Sequence, residues 1–360
     1  MEPRLNCLIF GAGAIGTYIG GSLLLHGHRV TFIEQAGPAS EILEHGLRLN
    51  IHGQENRILH PDMIADIPQA IRKNNFDILI FALKSFDTQA ALEAIYPYTD
   101  RLPPVLCIQN GVENENLIES IMGKDKVIAG TVTSSISRRG AGDVVLERLR
   151  GMGIVSGHPL STTLAQALTE SGLNAHLITS AAGMKWSKML TNLLANASSA
   201  ILDMNPSEIL HHPKLYELEI VQLREAIRVM QAHHIPIIDL PGTQVKYLAW
   251  IVQNLPPTVS RLLLARVAGG GRGQKMPSFH IDLHSGRGNS EVEYLNGAIV
   301  RFGRQVNMPT PVNQWLTQTL TALVQRNLTL ELYSHQPDKY IHDVKSFIES
   351  QQPHAQSTVP

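Results

Sequence analysis

The run Leu5-Asn6-Cys7-Leu8-Ile9-Phe10 leads directly into Gly11-Ala12-Gly13-Ala14-Ile15-Gly16, and a helical stretch follows. A strand, a G-x-G-x-x-G turn and a helix in that order are the setting in which the glycine spacing carries meaning. The first glycine allows the tight turn, the second lets the backbone approach a pyrophosphate, and the third lets helix and strand pack closely. The phosphates then lie at the helix N-terminus, where unpaired amides and the positive end of the dipole favour them. This reading assigns Gly11, Ala12, Gly13, Ala14, Ile15 and Gly16 to a dinucleotide. Glu34 stands 18 residues past Gly16, at the end of the next apolar run. A carboxylate there accepts hydrogen bonds from the adenosine ribose and repels a 2′-phosphate, which favours NAD over NADP. The alternative is an exposed strand-end carboxylate. The next residue, Gln35, supplies no positive charge.

Outward from this motif, Leu5–Phe10, Arg29–Glu34, Asp77–Leu83, Val105–Gln109 and Val127–Thr133 read as strands, with helices near 14–26, 62–73, 86–96 and 113–122. That alternation predicts a parallel sheet with crossover helices. Asp143–Leu146 and Gly153–Val155 read as a hairpin added to the same sheet. Lys84 and Asn110 follow the third and fourth strands, at the carboxyl ends where ligands lie in open α/β sheets. Each is equally readable as a loop residue. From about Ala181 the pattern turns helical, over Met184–Leu202, Pro213–His233, Pro241–Asn254, Asn289–Val306 and 311–333. The fold class is therefore α/β. An N-terminal Rossmann-type dinucleotide-binding domain over 1–180 precedes an all-helical substrate domain over 181–335. A polar C-terminal tail over 336–360 reads as a short helix and a frayed end.

In the second half, Lys188, Asn192 and Asn196 recur at i, i+4 and i+8, a spacing that stacks them on one face of a single helix. One amine and two amides among Met189, Leu190, Leu193, Leu194, Ala195 and Ala197 must find partners if buried. An oxygen-rich substrate would supply them, and a solvent-facing stripe is the competing reading. Further on, Ser290 reads as a helix N-cap with Glu293 as capping-box partner, and Glu291 as an acid at the helix start.

Composition narrows the classes. Hydrophobic residues make up 43% of 360 and charged ones 17%, so the chain buries a substantial core and is not globally disordered. Thirty Lys and Arg against 31 Asp and Glu give a net charge of −1, which offers no electrostatic claim on nucleic acid or an anionic membrane. Cys7 and Cys107 lie in apolar runs and read as buried strand thiols. No signal-like segment and no membrane-length apolar run is apparent, so the chain reads as cytoplasmic.

Taken jointly, several motifs resemble the ketopantoate reductase (2-dehydropantoate 2-reductase) family over roughly residues 5–333. They are the glycine turn, Ala82-Leu83-Lys84, Gln109-Asn110-Gly111, Trp186-Ser187-Lys188 with Asn192 and Asn196, and Ser278 with Glu291. The resemblance implies an enzyme that uses NADP(H) to reduce 2-dehydropantoate to (R)-pantoate in pantothenate biosynthesis. It makes Lys188 the general acid and sets Glu291 near the lysine and the cofactor. Asn192, Asn196 and Ser278 would hold the substrate, and Lys84 and Asn110 would contact the cofactor. The chain departs from the family where Gln35 follows Glu34 in place of a phosphate-gripping arginine, and where 236–276 is longer.

The rival readings are an NAD-dependent D-2-hydroxyacid dehydrogenase of the same fold acting on other 2-keto acids, the β-hydroxyacid dehydrogenase group, against which Ser278 and Glu291 speak, and a non-catalytic dinucleotide sensor. The expected partner is a small 2-keto acid, with a homodimer left open. Gly269–Lys275 lacks the glycine and hydroxyl positions of a P-loop and reads as a hinge or lid. His280-Ile281-Asp282-Leu283-His284 could gather two imidazoles and a carboxylate if helical, but no further ligands accompany it in sequence, and no metal is expected.

Overall fold

The computed structural model describes residues 4–73, 75–269 and 275–351. Most of the Gly-rich stretch (270–274) and the expected frayed end (352–360) lie outside them. The chain divides into two compact units, residues 1–188 with 238–244, and residues 189–237 with 245–360.

The first unit is α/β. Its strands are β1 (Asn6–Phe10), β2 (Arg29–Ile33), β3 (Leu47–Ile51), β4 (Gln54–Ile58), β5 (Asp62–Ile64), β6 (Ile78–Phe81), β7 (Val105–Cys107), β8 (Val127–Val132), β9 (Ser135–Gly140), β10 (Asp143–Arg148), β11 (Met152–Val155) and β12 (Ala175–Ile178). Its helices are α1 (Ala14–Leu25), α2 (Ala36–His45), α3 (Ile67–Lys73), α4 (Thr88–Ile95), α5 (Asn114–Met122), α6 (Ser161–Leu168) and the first part of α7 (Ala181–Leu193), which continues past Lys188 into the second unit. The main sheet runs β12-β11-β8-β7-β6-β1-β2-β5, parallel throughout from β8 to β5, with β11 antiparallel to β8. Both faces are covered. In β1, Cys7 and Ile9 join one apolar cluster with Ile19 and Phe32, while Leu8 joins another with Phe81 and Ile118. Burial on two sides is why these strands read as continuous apolar runs rather than alternating ones.

The expected 143–155 hairpin does not form. β10 leaves the main sheet for a second one of order β4-β3-β10-β9, while β11 pairs with β8 and β12. The physical reason is α1. Residues Gly16 to Leu23 of that helix are all buried, so it needs cover on both sides. Leu47, Leu49, Val144 and Leu146 of the second sheet supply the far side, within the same apolar cluster as Ile19 and Leu23. The expected helix at 62–73 is likewise shorter. Asp62–Ile64 pairs with β2 as an edge strand, and α3 starts only at Ile67.

The second unit is helical: α8 (Asn196–Leu202), α9 (Pro206–His211), α10 (Pro213–Ala232), α11 (Val245–Asn254), α12 (Pro257–Gly269), α13 (Ser278–His284), α14 (Asn296–Gln305), α15 (Pro311–Val324) and α16 (Pro337–Ser350). The 20-residue α10 buries Leu215, Tyr216, Leu223 and Ile227. The expected helix Pro241–Asn254 begins only at Val245, because Leu240 and Thr243 close a turn before it. Asn289–Val306 divides into a 3₁₀ turn, Glu291–Tyr294, and α14. In the region read as a polar tail, α16 buries Tyr340, Ile341 and Val344.

Candidate active site

At Gly11 (φ +98) a Cβ would stand 2.9 Å from Leu83 Cδ2, so the glycine turn lies against the end of β6. At Gly16 a Cβ would stand 1.9 Å from the Gly11 carbonyl oxygen, which fixes glycine where helix and turn meet. Gly13 differs: nothing described lies within 4 Å of where its Cβ would be. Gly13 is also the N-cap of α1, in extended conformation and without a side-chain cap. A helix start with amides to spare, reached over an open glycine, fits a dinucleotide diphosphate. Glu34 has a task that the sequence did not announce. Its Oε2 accepts from the Ala12 N–H at 2.7 Å and its Oε1 from the Gln35 N–H at 2.8 Å, so it fastens the turn. Each oxygen keeps a second lone pair that a ribose hydroxyl can use.

The loops carrying Lys84 and Asn110 are tied together by buried polar side chains. Gln109 Nε2 donates to the Leu83 carbonyl at 3.1 Å and to Thr88 Oγ1 at 2.8 Å. Asn114 Nδ2 donates to the Asn110 carbonyl at 2.6 Å and to Ser85 Oγ at 3.1 Å, and Ser85 Oγ donates to that same carbonyl at 2.8 Å. Lys84 and Asn110 themselves are half-buried. Nothing in the sequence marked Gln109, Ser85 and Asn114 as a network, because their meeting depends on two crossovers.

Lys188 and Asn192 sit on consecutive turns of α7, both half-buried. One turn earlier is a residue the sequence reading missed. Lys185 is 5% exposed, and its Nζ lies 2.6 Å from Glu115 Oε1 while donating to the Gln109 carbonyl at 2.5 Å and the Gly130 carbonyl at 3.2 Å. Burial works against the ammonium, but the Glu115 carboxylate outweighs it and holds Lys185 above its ordinary value. The pair anchors α7 to α5, β8 and the loop after β7. A lysine three residues before Lys188 among Met184 and Trp186 was the available signal. Cys7 and Cys107 are buried free thiols, with Cys7 raised to about 12 chiefly by burial and Cys107 also raised.

Asn196 does not share the helix of Lys188 and Asn192. The expected Met184–Leu202 helix breaks after Leu193, and Ala195 adopts a left-handed conformation (φ 57) before α8 restarts at Asn196. The cause is Glu219 of α10. Its Oε2 accepts from the Ala195 N–H at 2.6 Å, and its carboxylate also bonds Ser198 Oγ and Gln222 Nε2. Burial pushes Glu219 up to about 7, against the bonds from Ser198, Ala195 and Gln222 that favour its charged form. The break turns Asn196 onto α13. Its Oδ1 accepts from the Phe279 N–H at 3.1 Å and its Nδ2 donates to Ser278 Oγ at 3.3 Å, so two of the expected substrate residues do meet.

Glu291 is 2% exposed, and its N–H donates to Asp282 Oδ2 at 3.4 Å. Asp282 thus serves the 3₁₀ turn, and the carboxylate that gathers with His280 and His284 is Asp203, from another element. Ser290 caps as expected, accepting from the Val292 N–H at 3.3 Å. The capping box is absent, because Glu293 instead accepts from Thr321 Oγ1 at 3.0 Å and faces Arg301.

Comparison with known proteins agrees with this architecture. The N-terminal profile of the ketopantoate reductase PanE/ApbA family matches residues 7–156, and its C-terminal profile matches residues 181–324. A 2-dehydropantoate 2-reductase of Lactococcus lactis is 27% identical over 322 residues, covering 87% of this chain and 96% of that one. One of Halobacterium salinarum is 25% identical over 332 residues, covering 90% and 100%. Among solved structures, a PanE/ApbA family ketopantoate reductase from Ralstonia eutropha superposes with a TM-score of 0.75 at 26% identity, over 89% of this chain and 99% of that one. A D-mandelate dehydrogenase solved with NADH and anilino(oxo)acetate superposes with a TM-score of 0.74 at 25% identity, over 90% and 100%. With a glycine turn shaped for a dinucleotide in one half and both halves matched in order, the chain belongs to the ketopantoate reductase family of oxidoreductases.

Proposed function

We propose that the protein reduces the ketone of 2-dehydropantoate to (R)-pantoate with NAD(P)H, a step of pantothenate biosynthesis, and that Lys188 is the general acid. The observation that carries this is the pairing of Lys188 and Asn192 on consecutive turns of a helix anchored one turn earlier by a buried ion pair. A bound nicotinamide would supply the hydride. As the ketone accepts it, negative charge grows on the carbonyl oxygen. The Lys188 ammonium stabilises that charge and gives up its proton to form the hydroxyl. Asn192, Asn196 and Ser278 are the proposed holders of the substrate oxygens, and Asn196 is already aligned with Ser278 by a hydrogen bond. The buried Glu291 is the carboxylate proposed to keep the lysine charged and to border the cofactor. Gly11, Gly13, Gly16, Lys84 and Asn110 are the proposed cofactor contacts.

A second reading has its own support. Glu34 at the end of β2 and the likeness to a D-mandelate dehydrogenase solved with NADH favour an NAD-dependent D-2-hydroxyacid dehydrogenase acting on other 2-keto acids. The decisive experiment is steady-state turnover of 2-dehydropantoate, phenylpyruvate and 2-ketoisovalerate with each cofactor, followed by loss of reduced-nicotinamide absorbance. Selective turnover of 2-dehydropantoate supports the first reading, and turnover of only the others the second. In either case Lys188→Ala is expected to lower kcat by about 10²–10⁴-fold with cofactor affinity unchanged. An unaltered kcat removes Lys188 from the mechanism.

A further inference from the structure

Outside the site described above, α8 and α13 bring together side chains that the proposed reaction does not use. Asp203 caps the end of α8 in a left-handed conformation (φ 52). His280 and His284 lie four residues apart on α13, with ring centroids 4.2 Å apart. His280 Nε2 is 2.8 Å from Asp203 Oδ1, and one ligating atom from each of Asp203, His280 and His284 falls within 4.8 Å of the others. A third imidazole stands at the edge of the group. The His335 backbone amide donates to the Leu202 carbonyl at 2.7 Å, and its ring Nε2 lies 4.0 Å from Asp203 Oδ2.

We propose that Asp203, His280 and His284, with His335 or water as the fourth ligand, form a binding site for a divalent transition-metal ion such as zinc. Two imidazoles and a carboxylate are the nitrogen and oxygen donors that zinc takes in open tetrahedral sites. Bonds of about 2.0–2.1 Å place tetrahedral ligands roughly 3.4 Å apart, and the ligating atoms here already lie within 4.8 Å of one another. An isolated His–Asp contact at this exposure contributes little to stability, and, among the described residues, His284 lies beside it without a hydrogen bond to Asp203. A shared cation accounts for all three groups. The side chains of His280 and Asp203 are 17% and 43% exposed, which leaves the ion a path in from solvent.

The placement has a consequence that rests on the functional reading above. The first turn of α13 is already joined to the start of α8 through Asn196, and the ion would join its last turn to the end of α8. Asn196 and Ser278, the proposed substrate contacts, would then be held by helices clamped near both ends. Occupancy is expected to change KM for the keto acid more than kcat.

The test uses untagged, chelator-treated protein titrated with Co²⁺, followed by visible absorption and by calorimetry, with zinc as competitor. One equivalent of saturable binding with tetrahedral or five-coordinate bands is expected. Binding should weaken at least about 10-fold in His284→Ala and in Asp203→Asn, and should persist in His211→Ala. Zinc is also expected to raise the Tm of the wild type and leave that of His284→Ala unchanged. No saturable binding, or binding indifferent to His284→Ala and Asp203→Asn, overturns the site. Saturable binding at the site with an unchanged KM overturns the clamp while the site stands. Because binding is read without turnover, failure of the proposed reaction leaves this test intact.

Discussion

Glu34 shows how one side chain serves two demands. Its carboxylate fastens the glycine turn through the Ala12 and Gln35 amides, and in the proposed cofactor assignment its charge opposes a 2′-phosphate. Replacing it by alanine would confound the two, because the turn would lose its tether. Glu34→Gln removes the charge and keeps one oxygen that can still accept from the Ala12 N–H, giving up only the local bond from the Gln35 N–H. A unit charge a few ångströms from a phosphate at the solvent edge amounts to about 1–2 kcal/mol, so kcat/KM for NADPH relative to NADH is expected to rise about 10-fold. An unchanged ratio would show that Glu34 does not read the ribose. Gly16 is the opposite kind of residue, with a single task. The carbonyl of Gly11 occupies the space a side chain would need.

At the scale of elements, α7 is held by a buried ion pair rather than by apolar packing alone. Lys185 and Glu115 are only 5% and 12% exposed at their side chains, and the ammonium also takes two backbone carbonyls. Such a pair is costly to break from one side, because the remaining charge is left without compensation. Glu115→Gln is therefore expected to lower stability by about 3 kcal/mol, seen as a lower urea midpoint at an unchanged m value. The double replacement Lys185→Met with Glu115→Leu should recover most of that loss. A midpoint that does not move in Glu115→Gln would mean that the pair is solvated in solution. The same helix explains the fate of Asn196. Glu219 takes the Ala195 amide out of the helical ladder, and the chain bends there although every residue from Met189 to Leu202 other than the asparagines, Thr191 and two serines is apolar.

For the whole molecule, the two buried glutamates of α10 set a dependence on pH. Glu219 and Glu225 are both raised to about 7, chiefly by burial. Glu225 also receives the Val312 and Asn313 amides at the start of α15, each at 3.0 Å. In each case the folded state holds its proton to higher pH than the unfolded chain, where the value is 4.5. Their contribution is thus complete below about pH 4.5, falls as pH rises towards 7, and is lost above it. Each shift corresponds to about 3 kcal/mol. Glu219→Gln is expected to gain stability relative to the wild type by about that amount between roughly pH 5 and pH 8, measured by denaturant unfolding at each pH. A constant difference across that range would show that Glu219 is charged when folded. No helix among the described residues is long and apolar enough to cross a membrane.

By itself, the sequence determined whatever depends on near neighbours along the chain. Leu5–Gly16 specifies strand, turn and helix because glycine positions and apolar runs act within a few residues of themselves. The same holds for the alternation that made the first half a parallel sheet, and for Lys188 and Asn192, one helical turn apart. What only the tertiary structure decided involves partners far apart in the chain. The second sheet over α1 joins residues 47–58 to 135–148, and no local pattern announces such a pairing. The break at Ala195 is imposed by a glutamate 24 positions later, and a periodicity read within one helix has no access to it. Asp203 meets His280 across 77 positions, so the carboxylate that completes that cluster was not the one lying between the two histidines. Local propensity fixes an element, but burial from all sides decides which polar groups must find one another, and that is settled only when the chain has closed on itself.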